Sequence, residues 1–340
     1  MIDLLVAGAG PVGLVTAIHA AEAGLEVTVI EPRSGTIDKA CGEGLMPKAL
    51  DHLARIGVNP AGTNFFGIRY TDGRSSSEAR FSSKPGRGVR RTVLHDALRD
   101  RASELNIKFL DGRVETIEQS GTAIEAAGVK ARYLIGADGL HSTVRTRLGL
   151  EASAIKKGSA RYGIRQHFEI EPWSDLVEVH WLPDAEVYVT PIDQNTVGVA
   201  ILGSAGLNFD DVIASAPQLS AHLGAVPPAS KLRGAGPLRQ RVSKRFSGRV
   251  LLVGDAAGYV DALTGEGLQV GFAEAQAAVL AVLSDKPSAY EAQWKRITRS
   301  YRLRSGGLLW ASSNRTIRPM IVPAAQRFPG VFRQIVNSLS

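Results

Sequence analysis

The apolar positions near the N-terminus follow first the period of a strand and then that of a helix. Residues 4–7 form a short apolar run, residues 14 to about 23 carry apolar side chains at helical spacing, and residues 26–30 are apolar and β-branched. Glycines separate the three segments. A strand, a helix and a second strand within about 30 residues are typical of the first unit of a Rossmann-type domain.

Two later segments repeat the change from a buried strand to a glycine turn. Residues 133–139 and 249–258 each contain an apolar run that leads into glycine and aspartate. A helical pattern opens at the turn of residues 265–267 and continues to about residue 283. These segments are expected to complete the domain that the first strand begins.

The pattern between those two segments is different. Apolar and polar residues alternate in residues 162–170, 176–182, 186–191 and 196–202, and proline or glycine breaks the runs. Alternation with period two predicts an antiparallel sheet, and the earlier run 66–71 is expected to join it.

We therefore predict an α/β protein: a Rossmann-type nucleotide-binding domain with an inserted antiparallel-sheet substrate domain and a helical C-terminus. The predicted boundaries are residues 1–65, 88–156 and 240–290 for the nucleotide-binding domain, residues 66–87 and 157–239 for the substrate domain, and residues 291–340 for the helical C-terminal segment. In this layout the substrate pocket lies between the cofactor and one face of the inserted sheet.

Composition narrows the class of protein. Of the 340 residues, 44% are hydrophobic and 21% are charged, which is ordinary for a globular protein. Cys41 is the only cysteine, which excludes an internal disulfide and any cysteine-based metal site, and we assign no metal. The first ten residues resemble a strand rather than a signal peptide, and no apolar stretch has the length of a membrane-spanning helix. We expect a soluble, cytoplasmic protein.

The net charge of +7 is unevenly distributed, because no acidic residue follows Glu291 while nine lysines and arginines do. Apolar residues such as Trp310, Phe328 and Phe332 are interleaved with them. A basic amphipathic tail of this kind can rest on the anionic inner face of a membrane or fold over an apolar pocket. Solvated outer faces of helices packed on the body give the same pattern, and this is the interpretation we prefer. No nucleic-acid site is expected, since no recognised module or aromatic stacking platform accompanies the charge.

The first glycine turn carries the features of a dinucleotide site. Gly8, Gly10 and Gly13 have the G-x-G-x-x-G spacing between a strand and a helix. Gly8 permits the tight turn, Gly10 lets a pyrophosphate approach the backbone, and Gly13 lets the helix lie close to the strand. The helix N-terminus at Pro11 and Val12 offers free N–H groups to phosphates.

An acidic residue closes the second strand. Glu31, followed by Pro32 and Arg33, is placed to accept hydrogen bonds from an adenosine ribose. A carboxylate here disfavours a 2′-phosphate, so NADP is not expected as the resident dinucleotide. The motif alone leaves FAD and NAD open.

The later turns add a second acidic group and a site for negative charge. Asp255 follows Gly254 at the end of a predicted strand, where its carboxylate can bind a chain of hydroxyl groups. Gly265 and Gly267, followed by Leu268, offer backbone N–H groups and a helix N-terminus, which can stabilise negative charge on a reduced ring.

These three motifs, in this order and spacing, resemble flavoprotein hydroxylases of the para-hydroxybenzoate hydroxylase class and the related geranylgeranyl reductases. The resemblance covers roughly residues 1–285, and it implies that FAD is the cofactor. The residues that we assign to FAD are Gly8, Gly10, Pro11, Val12, Gly13, Glu31, Pro32, Arg33, Cys41, Gly42, Arg91, Asp138, Gly254, Asp255, Gly265, Gly267 and Leu268.

The resemblance also implies individual roles. The glycines of the first turn and Glu31 would hold the ADP half of FAD, Asp255 the ribityl chain, and the turn of residues 265–267 the pyrimidine edge of the flavin. Asp138 belongs to a fingerprint that serves both FAD and pyridine-nucleotide handling. Arg91 matches the family arginine that reaches toward FAD.

Cys41 is our candidate catalytic residue. Residues 39–45 resemble the cysteine–glycine segment of prenyl reductases, in which the cysteine lies near the flavin. A free cysteine is also often a small buried hydrophobe, and both interpretations stay open. Gly42 would let the chain pass close to the flavin ring. The aromatic substrate-strand motif of those reductases is not clear at residues 187–191.

The resemblance favours an NADH- or NADPH-dependent monooxygenase that hydroxylates an aromatic or polycyclic apolar substrate through a flavin C4a-hydroperoxide. The alternative is a geranylgeranyl reductase-like enzyme that reduces isoprenoid double bonds. Halogenation is not expected, because the tryptophan signature of flavin halogenases is absent. His167 and His180 fall on predicted strands, where we expect ordinary half-buried histidines.

Overall fold

Three sheets organise residues 1–152 and 160–339, the part of the chain that the computed structural model describes. The strands of this part are β1 (Ile2–Ala7), β2 (Val27–Glu31), β3 (Gly44–Leu45), β4 (Thr63–Phe65), β5 (Gly67–Thr71), β6 (Ser76–Arg80), β7 (Gly86–Gly88), β8 (Lys108–Asp111), β9 (Ile117–Gln119), β10 (Ile124–Ala126), β11 (Val129–Gly136), β12 (Tyr162–Phe168), β13 (Val177–Trp181), β14 (Ala185–Asp193), β15 (Thr196–Gly203), β16 (Arg233–Ala235), β17 (Phe246–Ser247) and β18 (Val250–Leu252). Its α-helices are α1 (Pro11–Glu22), α2 (Pro47–Arg55), α3 (Arg91–Glu104), α4 (Thr143–Arg147), α5 (Phe209–Ala214), α6 (Pro217–Leu223), α7 (Gly267–Leu283), α8 (Ala289–Ser313), α9 (Ile321–Arg327) and α10 (Pro329–Leu339).

The first sheet is mostly parallel and contains the N-terminal strand at its centre. Its order is β17-β18-β11-β1-β2-β8, and the five strands from β18 to β8 run parallel. Leu4, Leu5 and Val6 of β1 are fully buried in a core that α1 and α7 share. Continuous apolar strands suit this position, because helices cover both faces of such sheets. The predicted Rossmann-type domain is confirmed.

The second sheet has seven strands in the order β16-β12-β15-β14-β13-β5-β6. All neighbours in it are antiparallel except β13 and β5, which run parallel. The four predicted strands and the early run at residues 66–71 all lie in this sheet. The one parallel pair was not predicted, since alternation of side chains is the same in both directions.

A third, small sheet was not predicted. Its order is β3-β7-β4, and both pairs are antiparallel. It lies against β14: a Cβ on Gly88 would stand 1.7 Å from the carbonyl oxygen of Pro191, so only glycine fits there. Residues 44–45 and 63–65 therefore form their own layer beside the seven-stranded sheet. The predicted boundary between residues 156 and 157 lies outside the described residues.

The C-terminal helices pack on the edge of the seven-stranded sheet. Val322 of α9 and Phe332 and Val336 of α10 are buried in a core that also holds Ile68 and Trp181. The helical C-terminal segment is confirmed. Its buried apolar residues cover an apolar wall of the protein, whereas Trp310 and Phe328 are 64% and 59% exposed. The helices pack against the body of the protein, which is the interpretation that we preferred from the sequence. They also cover part of an apolar pocket, which is one of the alternatives that the sequence allowed.

Arg318 fastens this segment to the sheet. Its guanidinium donates to the carbonyl oxygens of Leu182 and Ala185, both at 2.7 Å, and to the fully buried carboxylate of Glu186 at 2.5 Å. Arg161 pairs with the same carboxylate. Removing one arginine would leave the buried carboxylate of Glu186 without full compensation of its charge, which is costly. The group of Arg318, Glu186 and Arg161 therefore favours a single arrangement of the segment on the sheet.

Candidate functional site

A cavity of about 1060 Å³ lies between the parallel sheet, the seven-stranded sheet and the C-terminal helices. Strands β1 and β2 end at it with Ala7 and Glu31, and β11 ends beside Ala137, which also lines it. Ligands of open α/β sheets bind at this carboxyl edge. The cavity slightly exceeds the usual size of single-ligand pockets, roughly 300–1,000 Å³, so it can hold a dinucleotide and part of a second molecule.

The first glycine turn lies at one end of the cavity. Gly8 has a φ of +105°, and a Cβ on it would stand 2.6 Å from the carbonyl oxygen of Ala137. A Cβ on Gly13 would stand 1.9 Å from the carbonyl oxygen of Gly8, which lets α1 lie against the turn. A Cβ on Gly10 would meet nothing within 4 Å. The turn is thus tight on its protein side and open on the side of the cavity.

Glu31 is buried at the end of β2 and holds the turn in place. Its carboxylate accepts hydrogen bonds from the backbone N–H of Ala9 at 2.8 Å and from Arg33 Nε at 2.6 Å. Burial alone would raise the pKa of Glu31, but the hydrogen bonds from Arg33 and Ala9 outweigh it and lower the pKa. A charged carboxylate is therefore present where the sequence predicts a ribose.

The second glycine turn, after β11, presents Asp138 to the cavity. One oxygen, Oδ2, accepts the backbone N–H of Val144 at 3.0 Å near the start of α4. The other, Oδ1, is buried and has no hydrogen-bond partner among residues 1–152 and 160–339. A buried acceptor without a partner is costly, so this atom is suited to a ligand donor.

The third turn follows β18 as a short 3-10 helix, Gly254–Ala257. The carboxylate of Asp255 faces Lys39 Nζ at 3.7 Å, and both residues line the cavity. Gly265 adopts a φ of +68°, and α7 begins two residues later at Gly267, as predicted. The N-terminus of this 17-residue helix points its free N–H groups and its partial positive charge toward the same cavity.

Cys41 and Gly42 line the middle of the cavity. The Cys41 thiol sulfur accepts the backbone N–H of Glu43 at 3.4 Å, and the thiol is partly exposed rather than enclosed in a core. A Cβ on Gly42 would meet nothing within 4 Å. Arg91, the first residue of α3, also lines this region, and its Nε is buried without a partner among the described residues.

The far half of the cavity is apolar. The residues of the seven-stranded sheet and of the C-terminal helices that line it include Ile68, Tyr70, Val177, Val179, Tyr188, Leu202, Ile321, Phe328, Val331, Phe332, Ile335 and Val336. Tyr188 donates its hydroxyl to the carbonyl oxygen of Leu263 at 2.9 Å, and burial raises its pKa well above the ordinary value. This wall can bind an apolar molecule and keep it away from water.

The structure brings the predicted residues together. Sixteen of the seventeen line this one cavity, and the exception, Gly13, lies behind Gly8 at the start of α1. The open positions above Gly10, Gly42 and Gly265, with the unpartnered Asp138 Oδ1, form an elongated cradle that backbone N–H groups and carboxylates surround. These donor and acceptor groups fit FAD. When bound there, FAD supplies a ring that accepts and returns electrons.

Comparison with known proteins identifies FAD as the cofactor. A sequence profile of the FAD binding domain matches residues 1–284, most of the chain. The chain belongs to this family of FAD-dependent oxidoreductases. Within the family, the flavoprotein is 28% identical to a menaquinone reductase of Mycolicibacterium smegmatis, over 89% of this chain and 81% of that protein. It is 29% identical to digeranylgeranylglycerophospholipid reductase 1 of Methanopyrus kandleri, over 86% of each chain.

Solved structures share the fold of the flavoprotein. A flavoprotein/dehydrogenase from Cytophaga hutchinsonii superposes with a TM-score of 0.79 at 19% identity, covering 99% of this chain and 96% of that one. A flavin-dependent brominase gives a TM-score of 0.76, also at 19% identity, covering 99% of this chain and 93% of that one. At this level of identity the likeness concerns the fold alone.

Sequence reasoning missed several residues at the cavity of the flavoprotein. Arg113 and Val114 follow β8 and line the nucleotide end, and Tyr259 lines the cavity near Gly267. Arg113 could have been predicted, because residues that follow a strand of the parallel sheet lie at the edge where ligands bind. Tyr259 had none, since its position depends on how the chain turns after β18.

The two histidines on strands of the large sheet are not half-buried, as the sequence suggested. His167 is 2% exposed and His180 is 5% exposed. Each faces a buried glutamate: His167 Nε2 lies 2.6 Å from Glu43 and His180 Nε2 lies 3.1 Å from Glu178. The prediction failed because strand alternation shows which side a residue faces, not what covers that side.

Proposed function

We propose that this flavoprotein reduces carbon–carbon double bonds in the isoprenoid chain of an apolar lipid. The observation that carries the proposal is the continuity of the cavity: one space joins the FAD cradle, the thiol of Cys41 and an apolar chamber walled by the C-terminal helices. An extended hydrocarbon chain suits such a chamber, since each CH₂ group removed from water contributes about 0.8 kcal/mol.

The residues of the chain have two tasks in this reaction. The apolar wall, with Val179, Leu202 and Phe332, binds the hydrocarbon and excludes water from the ring. Saturating a double bond requires a hydride equivalent and a proton. Bound FAD, reduced by its electron donor, would supply the hydride equivalent to one carbon, and Cys41 would supply the proton from its sulfur to the other carbon, after which solvent would restore the thiol. Its partial exposure and its place in the cavity support this role.

The sequence relatives support reduction over hydroxylation. The names of the menaquinone reductase and of the digeranylgeranylglycerophospholipid reductase describe reductases, and both align over more than four-fifths of this chain. The electron donor that we propose is NADH or NADPH, as the family resemblance implies.

Hydroxylation of a planar substrate is the second candidate. Aromatic side chains also line the cavity, with Phe65, Tyr70, Tyr188, Tyr259 and Phe332 on its walls. Such walls can hold an aromatic or polycyclic ring by offset stacking. The two candidates differ in what the product gains: two hydrogen atoms in reduction, one oxygen atom in hydroxylation.

We propose further that the substrate enters from an anionic membrane surface. Phe328, Val331 and Ile335 line the cavity and are also 59%, 56% and 49% exposed, so they mark its mouth. Arg327 and Arg333 are exposed on the same two helices, in the segment without acidic residues. Apolar and basic residues together suit the interface of an anionic bilayer. No helix of residues 1–152 or 160–339 is long and apolar enough to cross a membrane.

The test uses the purified, FAD-loaded protein with NADH or NADPH and a long-chain isoprenoid lipid in anionic detergent–lipid micelles. Mass spectrometry of the product after incubation with and without oxygen distinguishes the candidates. Reduction predicts gain of hydrogen under both conditions, and Cys41→Ala is expected to slow it by at least about tenfold. A product that gains an oxygen atom, and only when oxygen is present, would contradict reduction and support hydroxylation.

A further inference from the structure

The segment of residues 41–44 contains a buried glutamate with an unusual, left-handed backbone conformation. Glu43 has a φ of +57° and is 3% exposed. A left-handed backbone is uncommon for a residue with a side chain and persists where the surrounding structure holds it. Glycine would adopt this conformation freely, and glycines stand on both sides of Glu43. A glutamate at this position therefore points to a task for its side chain.

The carboxylate of Glu43 connects three parts of the protein. Its Oε1 accepts the backbone N–H of Arg91 at 2.8 Å, at the first turn of α3. This bond takes the place of a cap, because Arg90, at the N-cap position, makes no side-chain capping bond. Its Oε2 lies 2.6 Å from His167 Nε2 on β12, and Arg165 Nη2 lies 3.8 Å from Oε1.

The neighbours of His167 define which ring nitrogen carries the proton. Its Nδ1 faces Arg165 Nη1 at 3.2 Å, Arg90 Nη2 at 3.3 Å and the Ser230 hydroxyl at 3.0 Å. Arginine can only donate, so Nδ1 accepts, and the proton is on Nε2, which donates to Glu43. The pair is thus oriented from both sides.

The backbone of the same segment is fixed as well. Thr190 donates its hydroxyl to the carbonyl oxygen of Gly42 at 2.9 Å, and the carbonyl oxygen of Glu43 accepts the N–H of Val89 at 2.8 Å. The N–H of Glu43 points to the Cys41 sulfur at 3.4 Å. Cys41, Gly42 and Glu43 thus form one connected unit, and a shift of the Glu43 backbone would displace the hydrogen bond to the Cys41 sulfur.

We propose that Glu43 and His167 are positioning residues of the flavin site: the pair holds Cys41 and Gly42 on the cavity wall and sets the first turn of α3, from which Arg91 enters the cavity. Neither residue is given a part in bond making. The proposal requires the FAD site and does not depend on which substrate is used.

The same sheet offers a matched control. Glu178 and His180 on β13 form a second buried glutamate–histidine pair at 3.1 Å, and Arg69 Nη1 donates to Glu178 at 2.6 Å. Neither residue of this pair lines the cavity, and the hydrogen bonds of the Glu178 carboxylate come from Arg69, Trp173 and His180. Glu178→Gln therefore measures the effect of disturbing a buried pair in this sheet without touching the flavin site.

The experiment measures the rate at which iodoacetamide alkylates the FAD-loaded protein, together with the dissociation constant of FAD from flavin fluorescence. Cys41 is the only thiol, so alkylation reports on this segment alone. Glu43→Gln and His167→Gln are each expected to change the alkylation rate and to weaken FAD binding by about tenfold, the effect of losing a hydrogen bond to a charged group. Glu178→Gln is expected to leave both values within about twofold.

Glu43→Gly separates the side chain from the backbone conformation. If the carboxylate positions the segment, this variant behaves like Glu43→Gln although its backbone is relaxed. Wild-type alkylation and FAD binding in Glu43→Gly would overturn the proposal, and so would equal effects of Glu43→Gln and Glu178→Gln. Loss of the folded circular dichroism spectrum in Glu43→Gln and His167→Gln, but not in Glu178→Gln, would also overturn it in favour of a purely structural pair.

Discussion

Glu31 accepts a hydrogen bond from the backbone N–H of Ala9 at 2.8 Å, which ties the end of β2 to the turn that follows β1. The same carboxylate thus holds the first glycine turn and lies, charged, at the end of β2, where the sequence predicts a ribose.

Glu31→Gln is expected to weaken FAD binding by about tenfold or more, because hydrogen bonds to a charged group contribute about 1.5–3 kcal/mol. Titration of the apoprotein with FAD by flavin fluorescence measures this. Asp111→Asn is the matched control, since Asp111 is the register partner of Glu31 at the end of β8 but does not line the cavity. Equal affinities of the two variants would contradict the role of Glu31.

Two glycines of the first turn are expected to respond differently to the same substitution. In Gly10→Ala the new Cβ meets no protein atom within 4 Å, and the φ of −66° is open to alanine. The protein should fold with an unchanged melting temperature, but FAD affinity should fall by at least about tenfold, since the methyl group would occupy the predicted approach of the pyrophosphate.

In Gly13→Ala the Cβ would stand 1.9 Å from the carbonyl oxygen of Gly8, so the helix must move away from the turn. Overpacking of this kind costs about 1–3 kcal/mol or more, and a lower melting temperature is expected even without FAD. Calorimetry of both apoproteins decides the matter. A destabilised Gly10→Ala beside an unaffected Gly13→Ala would be inconsistent with the described turn.

Glu274 makes the stability of the protein depend on pH. It is buried on α7 and accepts the backbone N–H of Gly254 at 2.6 Å. Burial raises its pKa from the ordinary 4.5 to about 8, although the hydrogen bond from Gly254 opposes the shift. Between about pH 4.5 and 8, Glu274 therefore keeps its proton in the folded protein but loses it in the unfolded chain.

The stabilisation from this proton is complete below about pH 4.5 and is lost as the pH rises to about 8, with a slope of at most about 1.4 kcal/mol per pH unit. Glu274→Gln removes this slope. The free energy of unfolding is measured with urea between about pH 5 and 8, the range in which the stabilisation is lost. As the pH rises, the variant should gain stability relative to the wild type. A constant difference would show that Glu274 does not titrate in this window.

The mouth of the cavity should bind anionic vesicles. Phe328→Ser combined with Val331→Ser is expected to reduce co-sedimentation with phosphatidylglycerol vesicles by about tenfold, because two apolar side chains are lost from the interface. Leu280→Ser is the control, since Leu280 is 51% exposed on α7 and does not line the cavity. Equal binding of all three proteins, or equal binding to neutral vesicles, would argue against a membrane entrance at this place.

Local patterns were sufficient to predict the parallel sheet and the nucleotide end of the site. The first turn and Glu31 lie within one short strand–helix–strand unit, whose geometry its own residues fix. Segment 44–65 was not predicted to form a separate sheet, because its strands have only two and three residues and depend on β7 for their partners.

The pair of Glu43 and His167 could not be read from the sequence, since 124 positions separate the two residues. The one local indication of this pair is a glutamate between Gly42 and Gly44. That pattern indicates an unusual turn, but it does not indicate that His167 is the partner of Glu43. The parallel pairing of β13 with β5 is equally non-local. Contacts of this kind depend on the packing of whole layers.

The central claim, reduction of an isoprenoid chain by the bound flavin, is tested most directly by one single-turnover measurement. The FAD-loaded protein is reduced without oxygen, mixed with a long-chain isoprenoid lipid, and followed by flavin absorbance while the product is collected. The account predicts reoxidation of the flavin without oxygen and an equal amount of lipid that has gained two hydrogen atoms. A flavin that stays reduced until oxygen is admitted, with the lipid unchanged, would contradict it.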